Sequence, residues 1–209
     1  MPETSGAPSE AAAAGRVVQQ RSLQVQRRIL DAAVAVLIES GYAGATTTRI
    51  QQRAGVSRGR LLHHFPSRDV LLVAASHHLS AARVAEMVDD SDWPTEPGAR
   101  IDRAVATLAE SFTEGYFWAA TELWMAARSH EEIRQSLLEP ESHIARSYRA
   151  SMDRLFGPDL SARPGYEDLR EVLFTSLRGM AMTTAFDRRP EPTDRHTERL
   201  KRLARAILL

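Results

Sequence analysis

The spacing of apolar residues marks this chain as helical. Ile29, Leu30, Ala33, Val36 and Leu37 recur at intervals of three and four, which places them on one face of an α-helix. The pattern predicts a first helix over about residues 17–40, ended by Gly41. The run Thr46-Thr47-Thr48 offers hydroxyls to the free amides at the start of a second helix, which stops at Gly55. Ser57 caps a short third helix reaching about His64, and Pro66-Ser67 separates it from a long fourth over 68–88. That fourth helix carries two apolar stripes, Leu71, Leu72, Ala75, Leu79 and Ala82 on one face, Val70, Val73, Val84 and Val88 on another. A helix apolar on two sides is expected to lie between two bodies. After a loop over 89–99 come helices near 99–113, 117–128, 130–156, 165–186 and 194–208, divided by Gly115, Gly157-Pro158, Pro164-Gly165, Pro190 and Pro192. No segment alternates in the manner of a strand between hairpin turns. The expected fold is all-α, with about nine helices: a three-helix unit over 17–68 and a larger helical domain over 69–209, preceded by a disordered arm over 1–16.

Composition narrows the function. The 43% of hydrophobic residues suffices for a core. With no cysteine, disulfides, thiolate metal sites and cysteine nucleophiles are excluded. No apolar run approaches the roughly 18 residues of a membrane span, and Ala11–Ala14 is too short and too closely flanked by acids for a signal peptide. A soluble, cytoplasmic protein is expected. The zero net charge hides an asymmetry, because residues 16–68 hold nine arginines against two acids, Asp31 and Glu39. Such a block on a small unit suits a polyanionic partner.

The block coincides with a motif. Two short helices joined by Ala54-Gly55-Val56-Ser57 have the form of a helix-turn-helix: glycine permits the turn, Val56 plugs the space between helices, and Ser57 caps the second. The second helix opens with Arg58, Gly59 and Arg60. Arginine there can contact guanine O6 and N7 in a major groove, and glycine lets the backbone approach closely. Arg58, Arg60 and His63 are candidates for base or groove contact, against the plainer reading of a solvated helix surface. Thr46 is a cap with a second role at phosphate, and Thr48 and Gln52 are candidate backbone contacts. Arg16, Arg21, Arg27 and Arg28 can reach phosphate or an adjoining minor groove.

From Arg28 to Leu72 the sequence resembles the DNA-binding domain of the tetracycline-repressor (TetR) family without a gap. The shared features are Ile29-Leu30, Ala32-Ala33, Gly41-Tyr42, Thr46, Ile50, Ala54-Gly55-Val56-Ser57, Gly59, Leu61, His64-Phe65 and Ser67. The resemblance adds Ser57, Gly59, His64 and Arg68 to the DNA-contacting set, with Arg68 at phosphate in place of the family's lysine. Leu62 stands where a phosphate-binding tyrosine is usual, and Gln51 where an alanine is. The resemblance also implies a homodimer on a pseudo-palindromic operator, a small-molecule effector and no cofactor. It places the dimer contact on the last two long helices, where Ser176, Gly179 and Thr183 form a small-residue ridge and Leu200, Leu203 and Ile207 an apolar stripe; packing within one chain is the alternative.

The sixth expected helix is rich in aromatics. Phe117, Trp118, Thr121, Trp124 and Met125 share a broad face with Glu122. The stripe is either core or the wall of a site for an apolar, aromatic-containing effector, drawn from His78, Phe112, Tyr116, Trp118, Glu122, Trp124 and Met125. Glu122 needs a cation: Arg128, Arg146 or Arg178 from the chain, or one carried by the effector. His78 is either a core histidine or a polar group of that site. Adjacent histidines at 63–64 and 77–78 diverge on a helix, so no metal is expected. No catalytic motif is present, and the expected function is a regulator, not an enzyme: a repressor released by its effector, with an activator or global regulator as the alternative.

Overall fold

The computed structural model describes the backbone of residues 10–86, 93–113, 115–187 and 189–209, and the side chains of these residues except 10–16, 18, 79–86, 116, 191 and 192. Those residues form ten helices and no strand: α1 Glu10–Gly44, α2 Thr47–Ala54, α3 Arg58–His64, α4 Arg68–Glu86, α5 Pro97–Ser111, α6 Gly115–Ala127, α7 Glu131–Phe156, α8 Pro158–Ser161, α9 Tyr166–Thr183 and α10 Pro190–Leu208. The nine expected helices are all present, joined by the single turn α8.

Several boundaries move. The first helix begins at Glu10 rather than Val17, so the disorder expected over 10–16 is replaced by helix; alanine is the best helix former, and four stand at 11–14. Residues 1–9 lie outside the described residues. At its other end α1 breaks at Gly41, whose φ of 63° no β-carbon tolerates cheaply. α5 starts at Pro97 because the Glu96 carboxylate accepts from the Gly98 and Ala99 amides at 2.8 and 2.5 Å. α10 starts at Pro190, since proline in a first turn lacks only an N–H that had no helical partner.

Two buried clusters hold the fold. The first joins Ile29, Leu37, Ile50, Leu61, Phe65 and Leu72 to Leu123 of α6 and Ile133 and Leu137 of α7. The second joins Ile101, Leu108, Phe112, Phe117, Met152, Phe156, Tyr166, Leu173 and Leu200. Leu71, Leu72 and Ala75 of α4 are buried in the first cluster, as their stripe predicts. The other stripe is seen at Val70 and Val73; Leu79, Ala82, Val84 and Val88 lie outside the described residues. As its two stripes predict, α4 lies between the N-terminal unit, through α1, and the remainder, through α6 and α7. α6 joins the two clusters, giving Leu123 to one and Phe117 to the other, while Trp124 packs against both.

Candidate functional site

The helix-turn-helix is built as its capping residues dictate. Thr46 Oγ1 accepts from the Arg49 amide and Ser57 Oγ from the Arg60 amide, each at 3.3 Å. Gly55 turns the chain at φ 61°, ψ 41°, the left-handed conformation that releases α2 into the turn. Ile50, Ala54, Leu61 and Phe65 are buried. Those anchors leave Arg58, Gly59, Arg60 and His63 exposed on α3, and Thr46, Thr48 and Gln52 exposed at α2. A β-carbon at Gly59 would meet nothing within 4 Å. Nothing inside the chain therefore requires glycine there.

Beside this face lies a groove of about 530 Å³ lined by Arg21, Ser22, Gly59, Arg60, His63 and His64. It brings the early turns of α1 against the third helix. Burial, His63 and Arg60 together hold the His64 imidazole below its ordinary range. Arg21, Arg27 and Arg28 are exposed, while Arg16 lies outside the described residues.

Arg68, expected at phosphate, turns inward in the single chain. Its Nε donates to the Ala45 carbonyl at 2.8 Å and an Nη to the Tyr42 carbonyl, while its guanidinium lies 4.2 Å from the centre of the Tyr42 ring. Tyr42 in turn donates its hydroxyl to Asp69 at 3.0 Å. Burial and Asp69 push the Tyr42 phenol up, against an opposing pull from Arg68. Arginine is turned inward because its fork of N–H groups reaches two carbonyls at the broken end of α1, that of Ala45 and that of Tyr42, which also takes a 3.3 Å bond from the Ala45 amide. The result is a clasp between the end of α1 and the start of α4.

The residues proposed for the effector do not converge on one place. Phe112 is core, edge-to-face with Phe117, Tyr148 and Phe174 at 5.6, 5.9 and 5.8 Å. His78 sits between α4 and α1 with Nε2 3.3 Å from Asp31, and Met125 is exposed. Trp124 turns to the bundle interior, where Arg178 lies 5.5 Å from its ring and its indole and Arg178 both favour the ionised form of Glu141. Burial pushes the Glu141 carboxyl up. Trp118 and Glu122 line an open cleft of about 720 Å³ with Thr113, Thr184, Arg189 and Asp194. Tyr116 lies outside the described residues. Glu122 does not take the expected arginine: its Oε2 accepts the Tyr42 backbone amide at 2.8 Å. The break at Gly41 frees that amide from the helix, and a carboxylate from α6 meets it.

Sequence reading missed His77 and Glu141. The His77 Nε2 is buried with no hydrogen-bond partner among the described residues, and burial and His143 hold its imidazole low. Hydrophobic spacing favoured His78 and gave no sign of this. Among the described residues no group of three or more His, Asp or Glu side chains converges as a metal site, and no helix is long and apolar enough to cross a membrane.

The profile described as bacterial regulatory proteins, tetR family, matches residues 29–75. The chain is 28% identical over 190 residues to the HTH-type transcriptional regulator CymR of Pseudomonas putida, covering 86% of this chain and 89% of that one. It is 30% identical over 180 residues to an uncharacterized HTH-type transcriptional regulator of Mycobacterium bovis, covering 82% and 84%. The chain belongs to the TetR family. A 76-residue stretch, 36% of this chain and 40% of its relative, is 38% identical to the HTH-type transcriptional repressor AcnR of Corynebacterium diphtheriae. A crystal structure of a TetR-family regulator from Mesorhizobium loti superposes with a TM-score of 0.66 at 19% identity, over 90% of this chain and 98% of that one, which shows the shared fold. This TetR-family protein is thus a DNA-binding transcriptional regulator, in a family of regulators and not of enzymes.

The last two long helices of the TetR-family chain divide the residues expected at a dimer contact. Leu200 is core, because α10 packs it into the second cluster. Ser176 Oγ lies 2.8 Å from His196 Nε2, which ties α9 to α10 within one chain. Gly179 is exposed, Thr183 is half-buried, and Leu203 and Ile207 remain exposed on α10. Val172, Met182 and Phe186, the last 81% exposed, extend the apolar face and were missed. Their spacing with Thr175 and Gly179, alternately three and four, was the available signal.

Proposed function

We propose that this protein is a homodimeric repressor in the cytoplasm that binds a pseudo-palindromic operator and leaves it when a small molecule occupies the sensor half. The observation that carries the DNA reading is the outward face of α3. Arg58, Arg60 and His63 surround a glycine that no internal packing demands, as expected where another body must approach the backbone. Thr46, Thr48, Gln52, Ser57 and His64 flank that face as phosphate and sugar contacts, with Arg21 extending it along the groove. Residues 17–68 act as the DNA-binding unit and 69–209 as the sensing and dimerising part.

Repression, rather than activation, is favoured by the relation to AcnR, which is named a repressor. The exposed row Val172, Thr175, Gly179, Met182 and Phe186, with Leu203 and Ile207, supplies a self-complementary apolar face for a two-fold contact. Such a dimer spaces two recognition helices about one turn of DNA, roughly 34–36 Å, apart. Selecting bound fragments from random DNA, followed by footprinting, tests this. A two-fold symmetric site, with transcription from a promoter that overlaps it blocked in vitro, is expected. A single asymmetric half-site, or no sequence preference at low salt, overturns the reading.

A further inference from the structure

Resting on the reading that an effector releases the operator, we propose that the effector is an organic cation. It binds in the cleft beside Trp118, and Glu122 reports its arrival by giving up the Tyr42 amide.

Glu122 belongs to two structures at once. It lines the open cleft with Trp118, Thr184, Arg189 and Asp194, and its Oε2 is the acceptor for Tyr42 N at 2.8 Å. The carboxylate lies flat against the break in α1: a β-carbon built on Gly41 would stand 3.1 Å from Oε2 and 3.5 Å from Oε1. A backbone amide satisfies one lone pair, and the exposed carboxylate has no cationic partner among the described residues.

Among the described residues, the cleft's other charges leave it negative. Arg189 is held by Asp187 through two bonds of 2.9 and 2.7 Å, and the guanidinium draws the Asp187 carboxyl down to about 2. That pair cancels itself. Of the described lining residues, Glu122 and Asp194 remain, beside the half-buried indole of Trp118. Carboxylates and an indole face both favour a cation. A volume of about 720 Å³ admits a molecule of several rings.

Tyr42 carries the consequence to DNA. Its carbonyl and ring are held by Arg68, its hydroxyl by Asp69, and its ring stands edge-on to His130 at 5.5 Å. Four residues further on, Thr46 caps α2. A cation attracts the Glu122 carboxylate toward the cleft and leaves the Tyr42 amide without its acceptor. The joint between α1 and the helix-turn-helix then loosens. The cation binds the loosened state better than the clamped one, and this difference in affinity shifts the equilibrium.

The test uses the full chain, its selected operator in an anisotropy assay, and a matched pair of probes at equal ionic strength. Benzyltrimethylammonium carries the charge; neopentylbenzene is its neutral carbon isostere. Calorimetry reads binding and thermal melting confirms folding of each variant. The cation is expected to weaken operator binding by about tenfold, a typical coupling between two sites, and the isostere to leave it in place. Glu122→Gln keeps an oxygen for Tyr42 but no charge; it is expected to lose the cation response and to weaken operator binding less than Glu122→Ala. Glu122→Ala is expected to weaken the operator complex several-fold with no probe present.

A cation that fails to bind the wild type, or still releases the operator from Glu122→Gln, overturns the proposal. So does a Glu122→Ala variant that holds the operator as tightly as wild type. If neutral or anionic aromatics alone release the operator, the cation is wrong and effector release stands. If no compound in a broad screen releases it, effector release itself fails, and the Glu122→Ala result still judges the clamp.

Discussion

Replacing Arg68 with methionine separates two roles that the sequence could not. Methionine keeps much of the aliphatic stem and removes the guanidinium. The loss is the bond from Nε to Ala45 O at 2.8 Å, the bond to Tyr42 O, the ion pair to Asp69 at 3.3 Å and the stacking on Tyr42. Hydrogen bonds from a charged donor contribute about 1.5–3 kcal/mol each, and a partly exposed cation–π contact about 0.5–1 kcal/mol. The joint is only half-buried, so water recovers part of this. A net destabilisation of about 2–3 kcal/mol is expected, which for a chain of this size lowers Tm by roughly 5–10 °C. Urea denaturation measures the first figure directly. Operator binding titrated against salt measures the alternative: were Arg68 a phosphate ligand, its removal from both subunits would flatten the salt slope by about 1.8. A stable variant with a flattened slope refutes the clasp. A destabilised variant with the wild-type slope supports it.

Gly59→Ala is expected to preserve or slightly raise thermal stability, by about 0.5–1 kcal/mol, because a helical alanine there meets nothing. It is also expected to weaken operator binding, and unchanged affinity would remove glycine 59 from the interface. Folding stability is expected to fall as pH drops from about 7 toward 5, because the His77 imidazole is depressed by burial and by His143 and must take up a proton in an unfavourable site. That contribution is fully present above the ordinary histidine range and is lost below it. His77→Leu is expected to shrink the pH dependence of Tm, and an unaltered profile would assign it elsewhere. Met182→Asp combined with Phe186→Asp is expected to convert a dimer into a monomer by light scattering, with the melting temperature lowered by the lost association but the helical content by circular dichroism retained, since both side chains are exposed in the single chain. A dimer that survives both charges places the contact on another surface.

The DNA-binding half was legible because its function rests on local chemistry. Thr46, Gly55 and Ser57 act within three or four residues of themselves, so a cap or a turn read from sequence is the one found in space. Arg68 was not legible, since its carbonyl acceptors lie 23 and 26 residues away in a break that only the folded α1 creates. Glu122 is the extreme case, meeting Tyr42 across 80 residues. Its position among aromatics correctly announced that it needs a partner, but a backbone amide has no side-chain signature. Leu200 and Leu203 show the same limit in a helix, where a stripe three residues apart was divided between core and surface by the placement of α5 and α9.

The geometry of α6 gives this misreading a mechanical meaning. Its first residue, Gly115, would place a β-carbon 3.0 Å from Ile38 Cδ1, and Glu122 two turns later abuts Gly41. Two close approaches on one helix fix it across the last turns of α1 at two points, so rotation or sliding of α6 cannot be absorbed locally. Packed interiors have little free volume and respond by switching between discrete arrangements rather than by gradual yielding. The nearest place able to yield is the joint at Gly41, where the helical hydrogen bonds are already broken and side chains from α4 and α6 replace them. α4 reaches this joint through Arg68 and Asp69, and α6 reaches it through Glu122. A disturbance of either helix therefore converges on Tyr42, four residues before the cap of the first helix of the helix-turn-helix.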